Sequence, residues 1–301
     1  MRLKPLAAAC LAALLTLLLP PLPHAPEVDV ILIGSFDQLC AFSHRVALGQ
    51  LTDAHIRLTT DIMATRPLRP IGTALHMFSG EFDGQGHVIS RLIAAGPNGS
   101  QGLFGCVGPE GVVKDVTLEG ACVMGAGYVG GVAGYSAGRV EGCRVERSRV
   151  ICLKRDQYGA AAGGVVGLGS GRVEGCAALL CSVRSPANTG GVCGAFYASV
   201  MERNAFTGAV ACAGAAEAPA GLIAGSLHGG ARMRFCAGCG AVFTYPNGSA
   251  GGAVGGVYSG SSTAGCVAGG PENIGVARLT AALSTAFSEE ARNNNFQHFL
   301  P

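Results

Sequence analysis

A short glycine phrase returns about every thirty residues between Gly102 and Cys266, and nothing else in the chain restricts its fold so strongly. It reads Gly102-Leu103-Phe104-Gly105, Gly130-Gly131-Val132-Ala133-Gly134, Gly163-Gly164-Val165-Val166-Gly167, Gly190-Gly191-Val192-Cys193-Gly194, Gly221-Leu222-Ile223-Ala224-Gly225 and Gly255-Gly256-Val257-Tyr258-Ser259. Successive last residues, 105, 134, 167, 194, 225 and 259, lie 29, 33, 27, 31 and 34 apart. A period between about 20 and 50 residues marks a solenoid, a propeller or an array. A propeller blade needs four antiparallel strands in about 40 to 45 residues, and these repeats are shorter and carry no hairpin signals.

Cysteine keeps the same beat. Gly138-Arg139-Val140-Glu141-Gly142-Cys143 returns as Gly171-Arg172-Val173-Glu174-Gly175-Cys176, and the equivalent places fall on Asn204, Cys236 and Cys266. A second column is expected at Cys122, Cys152, Cys181 and Cys212, continued by Val242. Their neighbours are small or β-branched, as strands require. If each repeat is one turn of a coil, like side chains stack about 4.8 Å apart inside it. Glycine then marks the corners, where the chain must take positive φ or let backbones approach closely. The expectation is an all-β, right-handed parallel β-helix, the hand following the general rule for parallel crossovers.

Composition fits one elongated body. Glycine supplies 48 of 301 residues, more than twice the usual share of about 7%, without collagen's every-third-residue rule. Hydrophobic residues make 49% and charged ones 13%, which excludes a disordered linker. A net charge of +2 with no basic stripe gives no reason to expect nucleic acid or an acidic membrane as partner.

Residues 1–25 read as a signal peptide or N-terminal anchor: Met1-Arg2-Leu3-Lys4 is basic and Leu6 to Leu19 is an apolar run of signal-core length. Pro26 is an unfavourable neighbour for cleavage after Ala25, so an uncleaved anchor stays open as a second reading. Residues 26–66 should hold a cap helix capped by Ser35, with Phe36, Leu39, Phe42 and Val46 near one face, and then the first strand at 55–62. Residues 67–270 are the solenoid. In 271–301 the beat is lost, and Leu279, Ala282, Leu283, Ala286 and Phe287 suggest a short C-terminal capping helix.

Phe78-Ser79-Gly80-Glu81-Phe82-Asp83-Gly84-Gln85-Gly86-His87-Val88-Ile89, followed by Gly102-Leu103-Phe104-Gly105 and the later Gly-Gly-Val phrases, resembles the GLUG-repeat family of bacterial exported proteins. The resemblance spans roughly residues 30 to 290. It implies right-handed β-helical modules on bacterial surfaces, in adhesin-like proteins and beside the catalytic domain of IgA-cleaving zinc peptidases. This chain departs from the pattern in its high alanine and cysteine content and in Asn204. None of its seven histidines is followed by glutamate, so the HExxH of that peptidase is not in the sequence.

Other chemistry finds weak support. Thirteen cysteines in an exported chain invite a disulfide framework, but cysteine is also a good small buried hydrophobe, and buried thiols are favoured over stacked disulfides. Cys236-Ala237-Gly238-Cys239 is an isolated CxxC and a weak zinc candidate. Glu141 and Glu174 stack 33 apart and read as a solvated turn relieved by Arg139 and Arg172, rather than as a catalytic acid and base. His87 reads as a structural hydrogen-bonding residue of its turn.

The expected function is a non-enzymatic exported surface module, a display, stalk or adhesive solenoid that needs no cofactor and binds a glycan or a host or cell-surface protein. Tyr128, Tyr135, Tyr158, Tyr197, Tyr245 and Tyr258, and loops at 154–158 and 245–248, are the candidate contacts. The alternatives are a carbohydrate-active β-helical enzyme and a non-catalytic piece of a larger surface protein or peptidase.

Overall fold

In a computed structural model of the chain, residues 29–97, 99–154, 159–212, 218–244, 252–258 and 260–269 are described. The expected signal segment, the expected C-terminal helix, Tyr158, Tyr245 and Ser259 lie outside them.

Over the described residues the chain winds into a parallel β-solenoid of about seven turns with one short helix near its start. Sheet A stacks nine strands, from Val30–Ile33 and His55–Leu58 through Arg139–Glu141 to Ser262–Ala264. Sheet B has eleven, sheet C six, from Phe104–Val107 to Val254–Val257, and sheet D four. Neighbouring strands are parallel and come from successive coils. The sheet begins one strand earlier than the sequence suggested: Val30–Ile33 pairs with His55–Leu58, because Val30-Ile31-Leu32-Ile33 is itself an apolar β-branched run.

Helix α1, Phe36–Ala47, makes the crossover between these first two strands. Ser35 caps it, its Oγ accepting from the Gln38 N–H at 3.3 Å. Phe36, Leu39, Phe42 and Val46 are its buried face, as their spacing predicts, and the Phe42 ring meets Phe78 edge-on with centroids 6.0 Å apart.

Inside, like residues stack. Val113, Val140, Val173, Met201 and Met233 form one fully buried column of sheet A. Fully burying such a side chain contributes about 1.5–3 kcal/mol each, so a column repeated through every coil is a main source of stability.

The phrase glycines have a common reason. Gly105, Gly134, Gly167, Gly194 and Gly225 follow residues paired rung to rung, so they form one column. Its next member is Gly255, since Val254 pairs with Ala224. The sixth phrase is thus Gly252-Ala253-Val254-Gly255 and not the one ending at Ser259. A Cβ on Gly102, Gly105, Gly130, Gly131, Gly134, Gly163, Gly164, Gly167, Gly190, Gly191 or Gly194 would come within 1.9–2.7 Å of a neighbouring main-chain atom. Close approach of backbones, not positive φ, selects them. Positive φ belongs to the corners, at Gly142 and Gly175 but also at Asp115, Arg203 and Phe235, which carry side chains.

Candidate functional site

The first cysteine column stands where the sequence puts it, at the corner between sheets A and B. Arg144 pairs with Ala177, Ala177 with Ala205, Ala205 with Ala237 and Ala237 with Val267, so the residues just before them, Cys143, Cys176, Asn204, Cys236 and Cys266, stack rung on rung. Each thiol bonds the carbonyl two residues back, as Cys143 Sγ does with Glu141 O at 3.3 Å and Cys176 Sγ with Glu174 O at 3.3 Å.

The second column is corrected. Cys122 faces Ile93 and Arg149, Cys152 faces Gly125, Cys181 faces Gly208, and Cys212 faces Ser185 and Thr244. The coils differ in length and the extra residues lodge in their connections, so a constant sequence interval drifts out of register. Cys181 instead succeeds Ser148, which accepts the Ala121 N–H at 2.9 Å and donates to the Glu146 carbonyl at 2.7 Å. All twelve described cysteines are free thiols. Among the described residues no three of His, Cys, Asp and Glu gather so as to hold a metal ion.

Glu141, Glu174 and Glu202 lie in register on sheet A. Arg139 bonds Glu141 at 2.8 and 3.1 Å, Arg172 and Arg203 both bond Glu174, and both also approach Glu202, at 3.6 and 3.5 Å. The arginine relief expected from sequence is present, and the carboxylates stand on strands and not in a turn. On sheet B, Glu119 and Glu146 are likewise in register, with Arg147 bridging them and Arg144 on Glu146 at 2.9 Å. Glu119, Glu146 and Arg144 line a shallow groove with Asp115 and Thr117. Acid and base catalysis by two carboxylates asks for one protonated and one ionised group in contrasting surroundings. These carboxylates instead share one arginine-rich setting.

The Asp83-Gly84 turn is held by Asp83 Oδ1, which accepts the Gln85 N–H at 2.9 Å. A Cβ on Gly84 would meet Asp115 O at 2.3 Å, and Gly86 has φ +77°. His87 Nδ1 meets Asp61 Oδ1 at 3.2 Å, and the same oxygen accepts the Val88 N–H at 2.9 Å, so His87 has the structural place its turn suggested.

The feature best suited to contact another molecule is an aromatic ladder at the edge of sheet C. Tyr197 pairs with His228, and the next rung brings Tyr258 over it, its N–H donating to Leu227 O at 2.8 Å. The three rings stack, with centroids 4.6 and 4.7 Å apart and planes 12° and 5° from parallel. Tyr197 and Tyr258 are 37% and 44% exposed. Burial raises the Tyr197 phenol, helped by Tyr128, and burial between the tyrosines lowers His228. Tyr128 and Tyr135 pair beside it at 6.5 Å, and the Tyr135 hydroxyl meets Ser170 Oγ at 3.4 Å. Sequence reading named the tyrosines singly and missed His228. The signal was there: residues 197, 228 and 258 each stand three places after a column glycine, Gly194, Gly225 or Gly255.

No family model matches the chain. A stretch of 99 residues is 38% identical to halomucin of Haloquadratum walsbyi, covering 29% of this chain and 1% of halomucin. In fold, the chain is similar to the crystal structure of a Bacteroides ovatus protein provisionally described as an immunoglobulin A1 protease, with a TM-score of 0.63 over 86% of this chain and 88% of that one. The two are 17% identical, so the likeness is one of fold.

Proposed function

We propose that the chain is an exported, non-enzymatic surface solenoid that binds a glycan or an extracellular protein through the aromatic edge of sheet C. The observation that carries this reading is the exposed Tyr197–His228–Tyr258 stack. Stacked rings are rigid, lose little entropy on contact, and present apolar edges beside hydroxyl groups, an amphipathic surface of the kind enriched at protein interfaces whose hydroxyls also suit hydrogen bonding to sugars. The arginine-paired carboxylates of sheets A and B support a display surface over a catalytic one. The GLUG-like motifs at 78–105 and the signal-like first 25 residues support export. So does the likeness to a protein whose named target, immunoglobulin A1, lies outside the cell. Incubation of the purified chain with a panel of polysaccharides and immunoglobulins, followed by product analysis, tests the non-enzymatic half. No products are expected, and turnover that disappears on Glu119→Gln or Glu146→Gln would replace this reading with a carbohydrate-active enzyme.

A further inference from the structure

The corner column contains two pairs of cysteines on adjacent rungs, Cys143 with Cys176 and Cys236 with Cys266, separated by Asn204. In the second pair the Val267 N–H donates to the Cys236 carbonyl at 2.9 Å, which fixes the register. Cys236 Sγ bonds Arg234 O at 3.2 Å, and Cys266 Sγ bonds Ala264 O at 3.4 Å. Each also faces a carbonyl of the coil before, Met201 O at 4.0 Å and Met233 O at 3.7 Å. The same orientation on successive rungs sets one sulfur above the other. The rung spacing of about 4.8 Å lies inside the Cα separation of about 4.4–6.8 Å that a disulfide accepts.

The two pairs differ in access and in chemistry. Cys143 and Cys176 are wholly buried, and burial raises the Cys176 thiol well above its ordinary value. Cys236 is buried too, but Cys266 is partly exposed on the last described coil, beside exposed Ser262, Thr263 and Ala264. A hydrogen bond from Cys236 brings the Cys266 thiol down to about 7. A reachable thiol that ionises near ambient pH, with a buried neighbour to resolve the product, is the arrangement of a redox-responsive dithiol.

We propose that Cys236 and Cys266 form a reversible disulfide that fastens the last described coil to the one before it, while Cys143 and Cys176, stacked in the same way, remain thiols. The oxidant is an exogenous disulfide such as oxidised glutathione. The Cys266 thiolate attacks one of its sulfurs, forming a mixed disulfide and releasing one thiolate. Cys236 then gives up its proton and attacks the Cys266 sulfur, which closes the protein disulfide and releases the second thiolate. Two electrons pass to the oxidant, and it leaves as two thiols. In-register Cβ atoms stand farther apart than the roughly 3.8 Å a relaxed bridge prefers, so closure pulls the last coil inward and the bridge is easily reduced.

The test uses the full chain carrying Cys239→Ser, equilibrated with oxidised glutathione near neutral pH, alkylated, and digested with chymotrypsin, which cuts between the two cysteines at Phe243 and Tyr258. The expected product is one crosslinked peptide pair joining Cys236 to Cys266, lost on reduction and absent in Cys266→Ser, with Cys143 and Cys176 recovered as thiols. In the reduced protein, alkylation of Cys266 should be half-maximal near pH 7 and move toward about 8.5 in Cys236→Ala. A folded, oxidised protein that lacks the Cys236–Cys266 peptide overturns the proposal, as does equal crosslinking of Cys143 to Cys176.

Discussion

Asn204 Oδ1 accepts the Cys176 main-chain N–H at 2.8 Å while its Nδ2 donates to the Val173 carbonyl at 3.0 Å. One side chain thus ties its own coil to the coil before it, inside a corner closed to water. Asn204→Ala leaves a buried donor and a buried acceptor unmet, each costing about 1–3 kcal/mol. The variant should unfold at clearly lower urea with an unchanged slope, by a total of about 2–6 kcal/mol. An unchanged midpoint would mean that the corner does not depend on this bridge.

Two kinds of glycine should respond differently to alanine. In Gly191→Ala the new Cβ would stand 2.0 Å from Leu222 O and 2.2 Å from the Phe206 ring, with backbone and a packed core side chain to displace. A loss of about 3 kcal/mol or more is expected. Gly86 has φ +77° and open space around it, so Gly86→Ala should cost only the left-handed penalty of about 1 kcal/mol. Parallel denaturation curves of the two variants check the order.

His228 sits between two tyrosine rings, and burial lowers its folded pKa below the unfolded value of about 6.5. The unfolded chain therefore binds the proton more readily, so stability from this site is complete above pH 6.5 and declines as pH falls below it. His228→Phe should flatten the thermal melting profile between pH 7.5 and pH 5, whereas a profile identical to that of the parent chain would contradict the assignment.

Much of the fold is readable from the sequence, because stacking repeats residue types and the repeats survive in the chain. The glycine column from Gly105 to Gly225, the corner from Cys143 to Cys266 and the α1 face are all visible this way. What misleads is counting. Cys122 and Cys152 lie 30 apart, but the register step between those strands runs from Cys122 to Arg149, which is 27. The same arithmetic put the sixth phrase four residues late and so hid the rung that carries Tyr258. Corners at Asp115, Arg203 and Phe235 give no glycine signal, since their left-handed backbone is imposed by the coil and not by the residue.

Binding to immobilised glycans and extracellular proteins, compared between the parent chain and Tyr197→Ala/Tyr258→Ala, tests the functional reading most directly. Both side chains are partly exposed, so the double variant should stay folded, losing about 1–3 kcal/mol of ring stacking. The account predicts saturable binding by the parent chain that the double variant loses at unchanged circular dichroism. Equal binding by both proteins would contradict it.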